Sequence, residues 1–169
     1  ESEFDVKYGT GKTIFIENCN DMWAEDVPQD IIMKILDHCW AYPENTYVFQ
    51  TKNPVRYSKN FDDIPPLSML GCTIETNRDT SAFSKAPLPT DRVTPMMFLP
   101  VRKFITIEPI LDFDVVELSG WIRAIMPNFI NIGADSKSHG LPEPSADKIN
   151  ALIENIQSLG IEIREKHNL

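Results

Sequence analysis

Cysteine and histidine are both scarce, three of each in 169 residues. Cys19, Cys39 and Cys72 are odd in number and widely spaced, with no Cys-x-x-Cys, so they read as the reduced thiols of a cytoplasmic protein rather than a disulfide framework. His38, His139 and His167 stand alone. With no His-Glu-x-x-His and no Cys/His cluster, the usual zinc arrangements are excluded. No apolar run approaches the ~20 residues of a membrane span, and Glu1-Ser2-Glu3-Phe4 lacks the basic-then-apolar character of a signal peptide. An opening residue other than Met points to a processed chain or a piece of something longer. Basic residues are in deficit, 16 Lys and Arg against 25 Asp and Glu, for a formal net charge of −9. That balance argues against non-specific binding along a phosphate backbone, which draws on clustered cations, and leaves room for a local basic pocket. Internal repeats and low-complexity segments are absent.

What the chain does have is a recurring junction. A short apolar run rich in β-branched residues ends on a carboxylate, amide or lysine, and a turn or helix follows. Thr13–Ile16 runs into Glu17, Asn18 and Asp21; Tyr47–Phe49 into Gln50, Thr51 and Lys52; Cys72–Ile74 into Glu75 and Asn77; Phe104–Ile107 into Glu108; Phe129–Ile132 into Gly133, Ala134 and Asp135. Parallel α/β proteins place ligands at the carboxyl ends of their strands, so these polar residues mark one shared rim.

The periodicity predicts strands at Thr13–Glu17, Thr46–Gln50, Leu70–Glu75, Lys103–Ile107, Asn128–Ile132 and Ile161–Arg164. Helices are expected over Asp30–Trp40, Asp91–Leu99 (kinked or shortened by Pro95) and Val115–Met126, with a short one opening at Asn53-Pro54. The helix after Ser145 is the clearest, carrying Ile149, Leu152, Ile153, Ile156 and Leu159 at a 3.6 period and stopping at Gly160. Residues 1–12 read as a tail or connection, and 13–169 as one domain. Strand–helix alternation means a parallel sheet. Polar ends on successive strands, rather than at one switch point, favour a partial, open TIM-like β/α barrel of about six strands over a doubly wound sheet.

Gly9-Thr10-Gly11-Lys12-Thr13 is no phosphate loop, since Val6 stands where a glycine is needed and a strand, not a helix, follows. Glu17, Asp21, Glu75, Glu108 and Asp135 are oxygen ligands of the kind Mg²⁺ takes, but carboxylates after strands also cap helices, and no metal is assigned. Glu75 and Glu108 are the sharper pair. Each closes an apolar strand, where a charge is costly unless it faces a polar cavity or a partner, and Lys52 is the natural partner for both. Glu108 and Lys52 are the expected catalytic residues. Cys72 is expected in the core, as are Trp40 and Trp121 on their helices, while Trp23 either packs or lines a pocket.

Taken together and in order, Thr51-Lys52-Asn53-Pro54, Thr73-Ile74-Glu75-Thr76-Asn77, Thr106-Ile107-Glu108-Pro109-Ile110-Leu111 and Gly133-Ala134-Asp135-Ser136 resemble a phage-associated, uncharacterised family similar to radical S-adenosylmethionine enzymes of the spore photoproduct lyase type. Ile14–Trp23 with Val27-Pro28 is similar to the start of that family's second strand unit. The resemblance spans about residues 12–165. It implies S-adenosylmethionine as cofactor, with Glu17 and Asn18 toward its methionyl amine, Glu75 toward its ribose, Asn77 among the cofactor-binding residues, and Glu108 and the Gly133–Asp135 turn lining the rest of the cofactor or the substrate. The family's Cys-x-x-x-Cys-x-x-Cys loop is missing here, so a [4Fe–4S] cluster is expected only if an upstream segment supplies the cysteines. Asp135 stands where relatives have a longer glutamate. Two other functions stay open. One is a different barrel enzyme with Glu75 and Glu108 as an acid/base pair beside Lys52. The other is a non-catalytic acidic binding domain whose salt-bridged rim leaves no pocket.

Overall fold

Alternating strand and helix patterns become a single curled sheet in the computed structural model, which describes residues 5–16, 20–135 and 140–166. The strands are β1 (Thr13–Phe15), β2 (Thr46–Thr51), β3 (Ser68–Thr73), β4 (Arg102–Ile107), β5 (Phe129–Ile132) and β6 (Glu162–Glu165). They pair in sequence order, every pair parallel. Sequential order in a parallel sheet has no switch point, so the sheet curls one way into an open half-barrel.

Helices α1 (Gln29–Trp40), α2 (Val55–Lys59), α3 (Pro89–Phe98), α4 (Val115–Ile125) and α5 (Ala146–Ser158) lie between the strands. Their apolar stripes make the core. Ile32, Leu36 and Cys39 of α1, Leu118, Ile122 and Ile125 of α4, and Leu152 and Ile156 of α5 are buried with Phe49, Leu70, Cys72, Ile105, Ile107, Ile130 and Ile132 from the sheet's helix-covered face. Side chains alternate across a strand, so the residues between these, such as Gln50, Thr73, Thr106 and Asn131, turn to the concave face.

The observed boundaries differ from expectation where backbone pairing overrides composition. Ladder bonding shifts β3 two residues earlier, from Leu70–Glu75 to Ser68–Thr73, and leaves Glu75 beyond the strand. Helix α3 starts at Pro89, whose fixed φ suits a first turn, and runs through Pro95. The carbonyl that Pro95 cannot serve belongs to exposed Asp91, within reach of water. At the other end of α3, buried Lys103 donates to the carbonyls of Met96 (2.7 Å), Met97 (3.0 Å) and Leu99 (3.4 Å), satisfying groups a helix terminus leaves open. Trp40 corrects the expectation of a core residue. It is 43% exposed and donates its indole N–H to the Asp63 carbonyl, because it lies one position past the buried stripe at Cys39.

The lower half of the concave face is filled. Gly71, Phe104, Phe129 and Glu162 are in register across four strands. The two phenyl rings stack 5.0 Å apart at 6°. A Cβ on Gly71 would fall 2.1 Å from the Phe104 ring, and the Arg164 guanidinium lies 3.6 Å over the Phe129 ring. Phe104 and Phe129 are buried, so the open space is confined to the upper half.

Candidate functional site

Above the stacked rings the concave face becomes polar, layer by layer. Gln50, Thr73, Thr106 and Asn131 sit on four neighbouring strands. Thr73 is in register with Thr106, and Thr106 with Asn131. Two residues further along each strand come Lys52, Glu75, Glu108 and Gly133, the strand-end set, and Lys166 continues the row past β6. Most of these side chains bound a cavity of about 490 Å³, closed on the β1 side by Phe15 and Asn20.

The loop after β1 is fastened to β2. Asp21, which lines the cavity, accepts from the Thr51 hydroxyl (2.9 Å), the Lys52 N–H (2.9 Å) and the Trp23 N–H (3.0 Å). The Asn53 amide donates to the Trp23 carbonyl, and the Arg56 guanidinium to those of Ala24 and Val27. Trp23 itself is fully buried, edge-on to Phe49 and Tyr57, so it packs the core rather than the cavity.

Lys52 and Glu75 meet as expected, and a second cation joins them. Glu75 pairs with Lys52 through one oxygen and with Arg92 Nη1 through the other, the latter at 2.8 Å. Arg92 is wholly buried and also donates to the carbonyls of Pro87 and Thr73, each at 2.8 Å. Burial alone would raise the Glu75 carboxyl pKa, but the Lys52 and Arg92 charges more than offset it and hold it below the ordinary glutamate value. Glu75 is thus a buried anchor behind Lys52, whose side chain is 39% exposed and faces the cavity.

Glu108 takes a different partner from the one expected. Its carboxylate pairs with Lys166, across Gly133. A Cβ on Gly133 would lie 3.2 Å from the Glu108 carboxyl carbon and 3.2 Å from Cδ of Lys166, so glycine makes room for the pair. The Gly133 N–H donates to the Ile107 carbonyl, and its own carbonyl accepts from the Ile110 N–H, fixing the turn.

Lys52, Glu75, Glu108 and Gly133 therefore come together. Asn77 does not join them. Its amide donates to Glu117 (2.7 Å) and Asp114 (3.3 Å), part of an exposed cluster with Arg78, Asp112 and Lys148 that ties the loop after β3 to the start of α4. Asp135 lies past the Gly133 turn, half-buried, outside the residues that line the cavity. Glu17, Asn18 and Cys19 lie outside the described residues. Cys39 and Cys72 are core thiols; burial pushes Cys39 up to about 12 and Cys72 higher still. Among the described residues, no group of three His, Cys, Asp or Glu could hold a metal ion.

Gln50, named at the second strand end from the sequence, lines the cavity. Lining residues missed from the sequence include Thr73, Thr106, Asn131 and Lys166. A signal was available for the first three. Each stands two positions before a recognised strand-end residue, and a spacing of two puts both on one face. No protein-family model matches this chain, and no curated protein does either.

Proposed function

We propose that this chain is the S-adenosylmethionine- and substrate-binding portion of a radical S-adenosylmethionine-like enzyme, akin to the phage-associated family it resembles. One observation carries the reading: at the strand ends of an open half-barrel, the cavity sets a carboxylate, Glu108, between two lysines, Lys52 and Lys166. That arrangement suits a zwitterion. The ammonium of an aminoacyl group would take Glu108, and its carboxylate Lys52 or Lys166. The volume, about 490 Å³, is within the range of small-molecule and cofactor sites.

When bound, S-adenosylmethionine supplies an activated carbon at its sulfonium. The protein's part is to bind and orient. Glu75, fixed by Arg92, aims Lys52 into the cavity; Gly133 lets Glu108 and Lys166 approach; Asp21 ties the first loop to the β2 end. The described cysteines do not fit a cluster, being buried among core side chains, so thiolates for one would come from elsewhere.

An acid/base pair of Glu75 and Glu108 has less support. Each has its own cation, and Glu75 is held ionised. The non-catalytic reading expected a salt-bridged rim with no pocket; the rim is salt-bridged, but it encloses a cavity, which favours a ligand-binding reading.

Calorimetric titration of S-adenosylmethionine into the chain and into Glu108→Gln tests the proposal, with melting temperatures taken alongside. Expected is binding by the parent and at least about tenfold weaker binding by the variant, about 1.4 kcal/mol, at nearly unchanged melting temperature. Lys166 is about half exposed, so losing its partner costs the fold little. No binding by the parent, or equal affinities with a lowered melting temperature, overturns it.

A further inference from the structure

We infer that Gln50, Thr73, Thr106 and Asn131 form an uncharged recognition strip that binds neighbouring hydroxyl groups of the substrate, as on a sugar ring. The inference deepens the reading above, assigning the cavity's floor to the substrate and its rim to the cofactor.

The strip's chemistry follows from how its members pair. The Gln50 amide donates to the Thr73 hydroxyl oxygen at 2.9 Å, and the Asn131 amide to the Thr106 hydroxyl oxygen at 3.4 Å. Among the described residues, neither hydroxyl proton and neither amide carbonyl has a partner beyond these bonds. Each pair therefore keeps both kinds of group for the cavity: the hydroxyl proton and the second amide hydrogen as donors, and the amide carbonyl as acceptor. With an amide reversed, the hydroxyl donates to the amide carbonyl, and two amide hydrogens and the hydroxyl oxygen remain, again donors with an acceptor. Hydroxyl groups both donate and accept, so they satisfy such pairs. Phosphate and carboxylate oxygens only accept, and in either amide orientation would leave an acceptor oxygen of each pair unmatched.

Two further facts point the same way. Adjacent strands lie about 4.8 Å apart, so one hydroxyl seated between them reaches both side chains. The charged residues that line the cavity balance, Lys52 and Lys166 against Asp21 and Glu108. The rim can exchange partners with a zwitterion, but it has no excess of cation to hold a phosphate.

The test uses methyl β-D-ribofuranoside, its 2-deoxy analogue, ribose 5-phosphate and uridine, titrated by saturation-transfer NMR into the chain and into Thr106→Val, with melting temperatures recorded. Expected are binding of the riboside, at least tenfold weaker binding of the deoxy analogue and of the riboside by Thr106→Val, no gain from the phosphate, and persistence of riboside binding at saturating S-adenosylmethionine. Uridine binding as tightly as the riboside or tighter is also expected, tighter binding marking a nucleoside and equal binding a free sugar as the source. Failure of the riboside to bind, unchanged affinity in a folded Thr106→Val, a tenfold preference for the phosphate, or displacement by S-adenosylmethionine overturns the inference. Riboside binding without any S-adenosylmethionine binding would remove the cofactor reading and leave the strip standing, so the two failures are distinct.

Discussion

Gly133 and Glu108 sit on neighbouring strand ends so close that the glycine's missing Cβ would lie 3.2 Å from the Glu108 carboxyl carbon. The absence of one methyl group therefore decides where a carboxylate can rest.

Gly133→Ala should move the Glu108–Lys166 pair by a few tenths of an ångström without unfolding the protein. The groups it would meet are the ends of flexible side chains. A stability change within about 1 kcal/mol is expected, with a clear loss of ligand affinity. Melting temperature and calorimetric titration, measured on one preparation, check both halves.

Glu75 should govern the acid limb of stability. Its carboxyl is held below the ordinary value in the folded chain, so the unfolded chain binds its proton more readily. The stabilisation is fully present above the unfolded glutamate pKa, about 4.3, and is lost as pH falls through the lower folded value. Glu75→Gln should flatten the melting-temperature profile below that pH. At pH 7 it leaves Arg92 buried without its carboxylate, which costs about 3–5 kcal/mol. A variant profile parallel to that of the parent would contradict this.

Gly71→Ala should destabilise by about 1–3 kcal/mol, because the new Cβ meets the Phe104 ring at 2.1 Å and overpacks the stack. Adding Phe104→Leu should recover part of the loss. Denaturant unfolding of the two single variants and the double variant gives the coupling, and additive effects would rule out the contact.

The strands, their parallel pairing and the polar rim could be read because alternation and strand-end charges survive in any single sequence. The floor was harder. Thr73 and Thr106 are β-branched residues inside apolar runs, where threonine is an ordinary strand former, so their inward role emerges only once register is known. Lys166 lies past the last strand, and nothing local ties it to Glu108, 58 positions earlier. Asn77 misled in the opposite way. It follows Glu75 by two, the spacing that works elsewhere, but the chain has left the strand. The Thr76 hydroxyl already bonds the Asp112 carbonyl, which draws the loop toward α4. Arg92, seventeen residues after Glu75, became its partner only through the packing of α3.

The stack of Arg164, Phe129 and Phe104 over Gly71 also sets traffic. It makes the half-barrel a cup with a sealed bottom rather than a tube. A molecule resting on the floor has no exit below, so a ligand held at the rim lies across its upward path and leaves only the open side of the half-barrel. If two ligands share the cup, the upper one slows the release of the lower, and a bias in the order of binding follows from two stacked phenyl rings.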